Sequence, residues 1–408
     1  MLEATLRDRA RGLLAASGRS DVPPFMVMDV MAAAARIEAA GGHVIHMEVG
    51  QPWAPAPKAA ISAAHAALDG ARIDYTSALG IPSLRERIAG HYRETYGCAV
   101  DPGRIVVTTG SSGAFILGFL AMFDPGDRVA VTVPGYPPYR HILTALGCEP
   151  VLIETSSETR HALTGEALLA VHRKTPLKGV LVGSPANPTG TMMSREALAS
   201  LIAAAEDAGI RFISDEIYHG LDYAFRAVTA AELSPHALII NSFSKYFCMT
   251  GWRVGWMVAP EPLVRPIERL QQNLAISVPT LSQIAAESAF AGRAEMEEVK
   301  RGYQENRRIL IEGLPRAGLD KFLPADGAFY LYADVSAFSP DSFEFARQML
   351  EQAHVAATPG IDFDPIHGHQ FIRFSYARSA EDMREAVARI ARWLDRRGII
   401  AGGLEPNH

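Results

Sequence analysis

The most informative part of this chain is S-F-S-K-Y-F-C-M-T-G-W-R, which runs from Ser242 to Arg253. It follows an apolar run over 237–240 that predicts a buried strand, and it places Lys245 next to small hydroxyl side chains. A lysine in a desolvated setting loses its proton more readily and becomes a nucleophile. We therefore predict a reactive Lys245, with Ser242, Ser244 and Arg253 holding a phosphate group.

Short apolar runs alternate with amphipathic stretches between about residues 105 and 290, which is typical of a parallel sheet flanked by helices. The predicted strands end in small, polar or proline residues and cover 105–109, 128–133, 179–183, 211–215, 238–241 and 255–259. Ligands gather at the carboxyl ends of such strands. No G-x-G-x-x-G follows the first strand, which disfavours a dinucleotide site. The last third predicts helix, strands over 329–334 and 371–376, then helix, as in a separate α+β unit.

The segment T-G-S-S-G, residues 109–113, lies between the first predicted strand and an apolar helix over 114–123. Backbone N–H groups at a helix N-terminus lack partners and carry partial positive charge. Ser111, Ser112 and Gly113 are therefore candidate phosphate ligands, although such a segment is also a common helix cap.

Further motifs stand at the ends of predicted strands or in loops between helices. They are E-V-G-Q-P (48–52), D-Y-T (74–76), V-P-G-Y-P-P-Y (133–139), S-P-A-N-P-T-G (184–190), S-D-E-I-Y (214–218) and F-I-R-F-S-Y (371–376). In order and spacing, these segments and the lysine motif resemble the class I/II aminotransferases, enzymes of fold type I that carry pyridoxal 5'-phosphate. The resemblance extends over roughly residues 20 to 400.

The resemblance implies an α/β fold type I transferase, with a mostly parallel central sheet flanked by helices and a smaller α+β domain. It implies a large cofactor-binding domain over 46–295 and a small domain formed by 1–45 and 296–408. It also implies a cofactor held on Lys245 as a Schiff base.

Roles for four strand-end residues follow from the same resemblance. Asp215 faces the pyridine nitrogen and keeps it protonated, which makes the ring an electron sink. Tyr218 and Asn187 contact the phenolic oxygen of the cofactor, and Asn187 also contacts the substrate carboxylate. The ring of Tyr136 stacks on the pyridine. Each motif has a structural alternative, such as a turn, a helix cap or a packed tyrosine.

Arg373 is a single guanidinium in an apolar strand, where it is costly to bury unless it meets a carboxylate. We expect it to anchor the substrate α-carboxylate, and the alternative is a buried structural ion pair. By resemblance, the backbone of Gly50 approaches the substrate. Tyr75 resembles the tyrosine that reaches the phosphate of the neighbouring subunit, which implies a homodimer.

Composition narrows the class of protein. A net charge of -6 gives no basic field for nucleic acid or an anionic membrane. Cys98, Cys148 and Cys248 form no C-x-x-C pair, which argues against a disulfide framework or a zinc site and fits a reducing, cytoplasmic setting. Residues 1–20 fit a helical arm better than an organellar transit peptide, because Glu3 and Asp8 are acidic.

The expected reaction moves an amino group between an L-amino acid and a 2-oxo acid. A C–S β-lyase or a decarboxylase on the same fold stays open, and a non-catalytic effector-binding module is a remote alternative. The helix over 114–123 has no charged residue, so we expect neutral, apolar or aromatic amino donors rather than aspartate. An acidic acceptor such as 2-oxoglutarate would need Arg265 or Arg269 to reach the site.

Overall fold

The computed structural model describes residues 14–70 and 72–397. Its central feature is a seven-stranded sheet in the order β2-β8-β7-β6-β5-β3-β4. The strands are β2 (Ile105–Thr108), β3 (Arg128–Val133), β4 (Glu149–Glu154), β5 (Gly179–Gly183), β6 (Arg211–Asp215), β7 (Leu238–Ser242) and β8 (Gly255–Val258). The strands from β7 to β4 pair in parallel, whereas β8 is antiparallel to both β7 and β2. The predicted α/β fold with a mostly parallel sheet is confirmed.

Side chains of the central strands alternate between two apolar layers, as a two-residue period requires. Leu238 and Ile240 of β7 pack on one face of the sheet, with Met257 of β8. Ile239 and Val258 pack on the other face. Because both faces are covered, these strands read as continuous apolar runs, which is why the sequence revealed them.

Most helices of the first two thirds cover the sheet and the loops above it, whereas the first of them packs against the last third of the chain. The helices of this part are α1 (Met26–Ala39), α2 (Lys58–Gly70), α3 (Pro82–Tyr96), α4 (Gly110–Met122), α5 (Pro137–Ala145), α6 (Gly165–Lys174), α7 (Arg195–Asp207), α8 (Glu261–Leu274) and α9 (Thr280–Ala289). Helix α4 is the apolar helix predicted over 114–123, and it lies against β7, β8 and α8. In the described ranges, no helix is long and apolar enough to span a membrane.

The last third forms a second unit around a three-stranded antiparallel sheet in the order β11-β12-β9. Its elements are α10 (Arg293–Arg316), β9 (Tyr330–Asp334), α11 (Ser342–Ala353), β10 (Val355–Ala356), β11 (Thr358–Pro359), β12 (Phe371–Ser375) and α12 (Ala380–Arg396). Strand β1 (Ile45–His46) pairs in parallel with β10, so the beginning of the chain packs on this unit. The first thirteen residues of the predicted arm lie outside the described residues.

Candidate active site

A cavity of about 570 Å³ lies at the carboxyl ends of β5, β6 and β7, between the central sheet and the second unit. Most of the residues predicted for the site line it. They are Gly50, Ser111, Ser112, Tyr136, Asn187, Asp215, Tyr218, Ser244, Lys245, Arg253 and Arg373. Residues far apart in sequence thus meet in one place, because the carboxyl ends of parallel strands share one edge of the sheet.

Lys245 comes three residues after the end of β7, and its Nζ donates to the backbone oxygen of Gly50. Burial, together with the nearby guanidinium groups of Arg373 and Arg253, lowers the pKa of Lys245 to about 8. A substantial fraction of the amine is therefore neutral near physiological pH, as a nucleophile or a proton acceptor requires.

Asp215 is the last residue of β6 and is 4% exposed. The hydroxyl of Tyr139 donates to its Oδ2, and the N–H of Ile217 donates to its Oδ1 at 3.1 Å. Burial raises the pKa of this carboxyl to about 6. A cationic group that entered the cavity would hold it ionised. Tyr139 was not predicted, although it stands three residues after Tyr136 in the same proline-rich turn.

A cradle for an anion lies at the first turn of α4. Ser111 and Ser112 belong to that turn, and Arg253 lies against it so closely that a Cβ on Gly110 would stand 2.6 Å from Arg253 Nη2. Ser244 completes the wall. Free N–H groups, hydroxyls and a guanidinium together are the donors that a phosphate dianion requires.

Arg373, in β12, is 1% exposed. Its Nη1 donates to Asn187 Oδ1 at 3.0 Å, and its Nη2 donates to Glu48 O and to Thr358 Oγ1. Its Nε has no hydrogen-bond partner, and within 14–70 and 72–397 no carboxylate lies within 4.0 Å of the guanidinium. The structure therefore lacks the buried ion pair that was the alternative, and leaves the charge available to a bound carboxylate.

Tyr330 of β9 is a wall residue that the sequence did not indicate. Its hydroxyl is 2.7 Å from that of Tyr218, and its ring lies under the Arg373 guanidinium at 4.4 Å. A Cβ on Gly50 would stand 1.8 Å from the Tyr330 hydroxyl, so only glycine fits there. The contact with Tyr330 explains the glycine, and the approach of its backbone to the substrate stays a prediction.

Three predicted residues do not line this cavity. The N–H of Gly113 donates to Thr109 O at 3.4 Å, within the helix. Ser242 lies behind Ser244, and its hydroxyl donates to Ser244 Oγ at 2.9 Å. Tyr75 is 80% exposed and stands away from the cavity of its own chain.

The chain is similar to proteins of one family over most of its length. The family described as "Aminotransferase class I and II" matches residues 42–390. The valine--pyruvate aminotransferase of Mycobacterium tuberculosis is 48% identical over 380 residues, which cover 92% of this chain and 97% of that protein.

Comparison with solved structures also finds aminotransferases. The crystal structure of an aminotransferase from Mycobacterium tuberculosis gives a TM-score of 0.91 at 47% identity and covers 94% of this chain and 99% of that one. The aspartate aminotransferase from Thermus thermophilus with maleate gives 0.87 at 33% identity, over 93% and 99% of the two chains.

Proposed function

The chain belongs to the class I and II aminotransferases, and from this membership we propose that it works with pyridoxal 5'-phosphate on Lys245 and prefers neutral, apolar amino donors. One observation carries the proposal. The amine of Lys245, the carboxyl of Asp215 and the unpaired guanidinium of Arg373 line a single cavity.

The residues of the cavity fit the cofactor group by group. Ser111, Ser112, Ser244 and Arg253 would hold the phosphate, and Ser242 would orient Ser244 through their hydrogen bond. Gly113 would act only by keeping the first turn of α4 in helical form.

The cavity also offers partners for the pyridine ring of the cofactor and for the polar groups on that ring. Tyr136 supplies an aromatic face for the pyridine, and Asp215 an anion for its nitrogen. Asn187 and Tyr218 offer donors for its phenolic oxygen. When bound, the cofactor supplies an electron sink that stabilises negative charge on the substrate Cα.

Lys245 would tether the cofactor by its amine and, once released, accept a proton from the substrate Cα. With a pKa of about 8, its nitrogen is neither locked in the charged form nor too weak a base at neutral pH. Arg373 and Asn187 would hold the α-carboxylate and so fix which bond to Cα faces the ring.

We expect Asp215→Asn to keep cofactor binding but to lose about 10²–10³ in kcat, the scale of losing one preorganised electrostatic contact. The neutral amide no longer holds the pyridine nitrogen protonated. Steady-state rates and cofactor absorbance measure the effect, with Asp207→Asn at the exposed end of α7 as the control. Rates and spectra equal to those of the parent enzyme would remove Asp215 from this role.

The lining of the cavity supports a neutral substrate side chain. The cationic side chains of its lining are Lys245, Arg253 and Arg373. Each is already assigned to the cofactor or to the α-carboxylate of the substrate. Phe25, Val27 and Met28 add apolar surface from the start of α1. The most similar relative described above is named for valine and pyruvate, which agrees with this lining.

The two arginines considered for an acidic substrate lie elsewhere. Arg265 of α8 pairs with Glu268 at 2.6 Å, and neither it nor Arg269 lines the cavity. We therefore favour a small neutral 2-oxo acid such as pyruvate over 2-oxoglutarate as the acceptor.

We expect kcat/KM for valine to exceed that for aspartate by about 10²-fold, since an unpaired second carboxylate costs several kcal/mol to bury. Steady-state assays with pyruvate as acceptor decide this, with leucine, phenylalanine and alanine as further donors. A specificity constant for aspartate well above those of all the neutral donors would contradict the proposal, while leaving the family assignment intact.

We also propose that the enzyme is a cytoplasmic homodimer with a large domain over 46–295 and a small domain from 1–45 and 296–408. Exposed apolar side chains support the dimer: Ile73, Tyr75, Leu274 and Ile276 are each 46% exposed or more. The loop that carries Ile73 and Tyr75 is held against the segment that follows Leu274 and Ile276, because the hydroxyl of Thr280 donates to the backbone oxygen of Asp74. Covering this surface with a second copy would bring Tyr75 to the partner's phosphate cradle.

A further inference from the structure

A second cavity, of about 430 Å³, borders the segment that carries the reactive lysine. Its walls include Tyr246 and Phe247, which directly follow Lys245 in the chain. They also include His219, which follows Tyr218. Any molecule bound there would therefore contact two segments that also shape the catalytic cavity.

The charges around this second cavity are unevenly paired. Each carboxylate in its walls has a donor: the pairs are Arg87–Glu94 at 3.0 Å, Lys300–Asp222 at 2.6 Å and Tyr246–Glu297 at 2.5 Å. Arg226 and Arg293 also line the cavity, and in the described part of the chain neither has a carboxylate within 4.0 Å. Two guanidinium groups thus remain available for an anion.

A buried amide adds a further donor. Asn241 lines this cavity and is 5% exposed, and its Oδ1 accepts from the N–H of Ser242 at 2.7 Å. Its amide nitrogen makes no hydrogen bond to any residue in 14–70 or 72–397. This nitrogen is not fully enclosed, so it can donate to water or to an anion bound in the cavity.

Aromatic rings form part of the remaining wall, with the Arg87 guanidinium 4.5 Å over the ring of Phe290. Phe290 and His91 lie 5.3 Å apart between ring centroids, and Phe247 lies 5.0 Å from Phe290. Burial lowers the pKa of His91 to about 4, so this imidazole is neutral and adds no charge. The guanidinium of Arg226 lies over the ring of Tyr96 at 5.4 Å, which places a cation beside the aromatic surface.

We propose that this second cavity is an effector site for a small aromatic monocarboxylate, whose carboxylate meets Arg226 and Arg293 and whose ring packs among the aromatic walls. Occupancy changes turnover through the segment that carries Lys245. The site is separate from the substrate site, where Arg373 is the carboxylate anchor.

Benzoate is a suitable probe, and Arg373→Leu removes the carboxylate anchor of the catalytic cavity. Calorimetric titration of this cofactor-loaded variant with benzoate is expected to show one site per chain. Adding Arg226→Gln and Arg293→Gln should weaken that binding by at least about tenfold, because both charged donors are lost. Adding Arg301→Gln instead should leave it unchanged, because Arg301 is an exposed arginine of the same helix that is paired with Glu298 and does not line the cavity.

Absence of benzoate binding to Arg373→Leu, or binding that the double replacement of Arg226 and Arg293 does not weaken, overturns the site. Both arginines are exposed at the mouth of the cavity, so their replacement should not unfold the chain. Because this titration measures binding alone, its result does not depend on which amino donor the enzyme uses.

The effect of the second cavity on turnover is tested with enzyme that keeps Arg373, at saturating concentrations of amino donor and 2-oxo acid. Benzoate is expected to change kcat by at least about twofold, and the Arg226→Gln, Arg293→Gln enzyme should lose this response. An effect on KM alone, or a kcat effect that survives in the double variant, contradicts regulation from this cavity.

Discussion

Replacing Lys245 with alanine is expected to abolish transamination while the chain stays folded. Loss of general acid–base transfer alone lowers a rate by about 10²–10⁴-fold, and the loss of the covalent tether adds to it. The variant should stay folded. The folded protein lowers the pKa of this amine from 10.5 to about 8, which means that the charged amine is less stable in the fold than in water. The destabilisation of the cofactor-free fold grows as the pH falls from about 10.5 to about 8 and is complete below that, so removal of the amine should raise the unfolding temperature at pH 7.

Steady-state rates, cofactor absorbance and thermal unfolding of the cofactor-free protein measure these effects. Lys321→Ala, in an exposed loop, is the matched control and should behave as the parent enzyme. If Lys245→Ala kept near-normal turnover, the central assignment would be wrong.

The second large effect is expected for Arg373→Leu, which should lower kcat/KM for every amino donor. The loss should correspond to about 2–5 kcal/mol of transition-state stabilisation, the scale of a buried charge pair that loses one partner. The guanidinium is 1% exposed and holds Asn187 Oδ1 at 3.0 Å, so the variant loses the anchor and also frees the amide that helps to orient the substrate.

Rates for valine, alanine and aspartate, measured on this variant, separate the possible roles of Arg373. An equal loss for all three identifies Arg373 as the anchor of the α-carboxylate, whereas a loss confined to aspartate would make it a reader of the side chain. Arg384→Leu, which removes a 60% exposed arginine of α12, is the control and should leave all three rates unchanged.

Much of the site was visible in sequence because its chemistry stands in short motifs directly after buried strands. Asp215 ends β6, and Lys245 follows β7. Since parallel strands end on one edge of a sheet, the predicted strands placed these side chains at that edge, while their roles came from the family resemblance. Arg373 was recognisable for another reason, as a lone cation in an apolar strand.

The residues that were missed depend on contacts between distant segments. Tyr330 meets Tyr218 across 112 positions, and a tyrosine in a buried strand has no local feature that separates a wall residue from a core residue. Tyr139 donates to Asp215, because α5 begins at Pro137 and its first turn directs that hydroxyl to the end of β6.

One strand of the central sheet was also missed, as were the two-residue strands β1, β10 and β11. Strand β4 lies at the edge of the sheet, where most of its side chains are only partly buried and a glutamate stands at each end, so its apolar run is short. The antiparallel direction of β8 likewise could not be read from a run of residues buried on both faces.

The central claim is that Lys245 carries the cofactor. Reduction of the enzyme with borohydride in the presence of pyridoxal phosphate, followed by peptide mass mapping, tests it most directly, because reduction makes the bond to the lysine nitrogen permanent. The account predicts one phosphopyridoxyl group per chain, on the peptide that contains Lys245. Stoichiometric label on any other lysine, namely Lys58, Lys174, Lys178, Lys300 or Lys321, or no label at all, would contradict it.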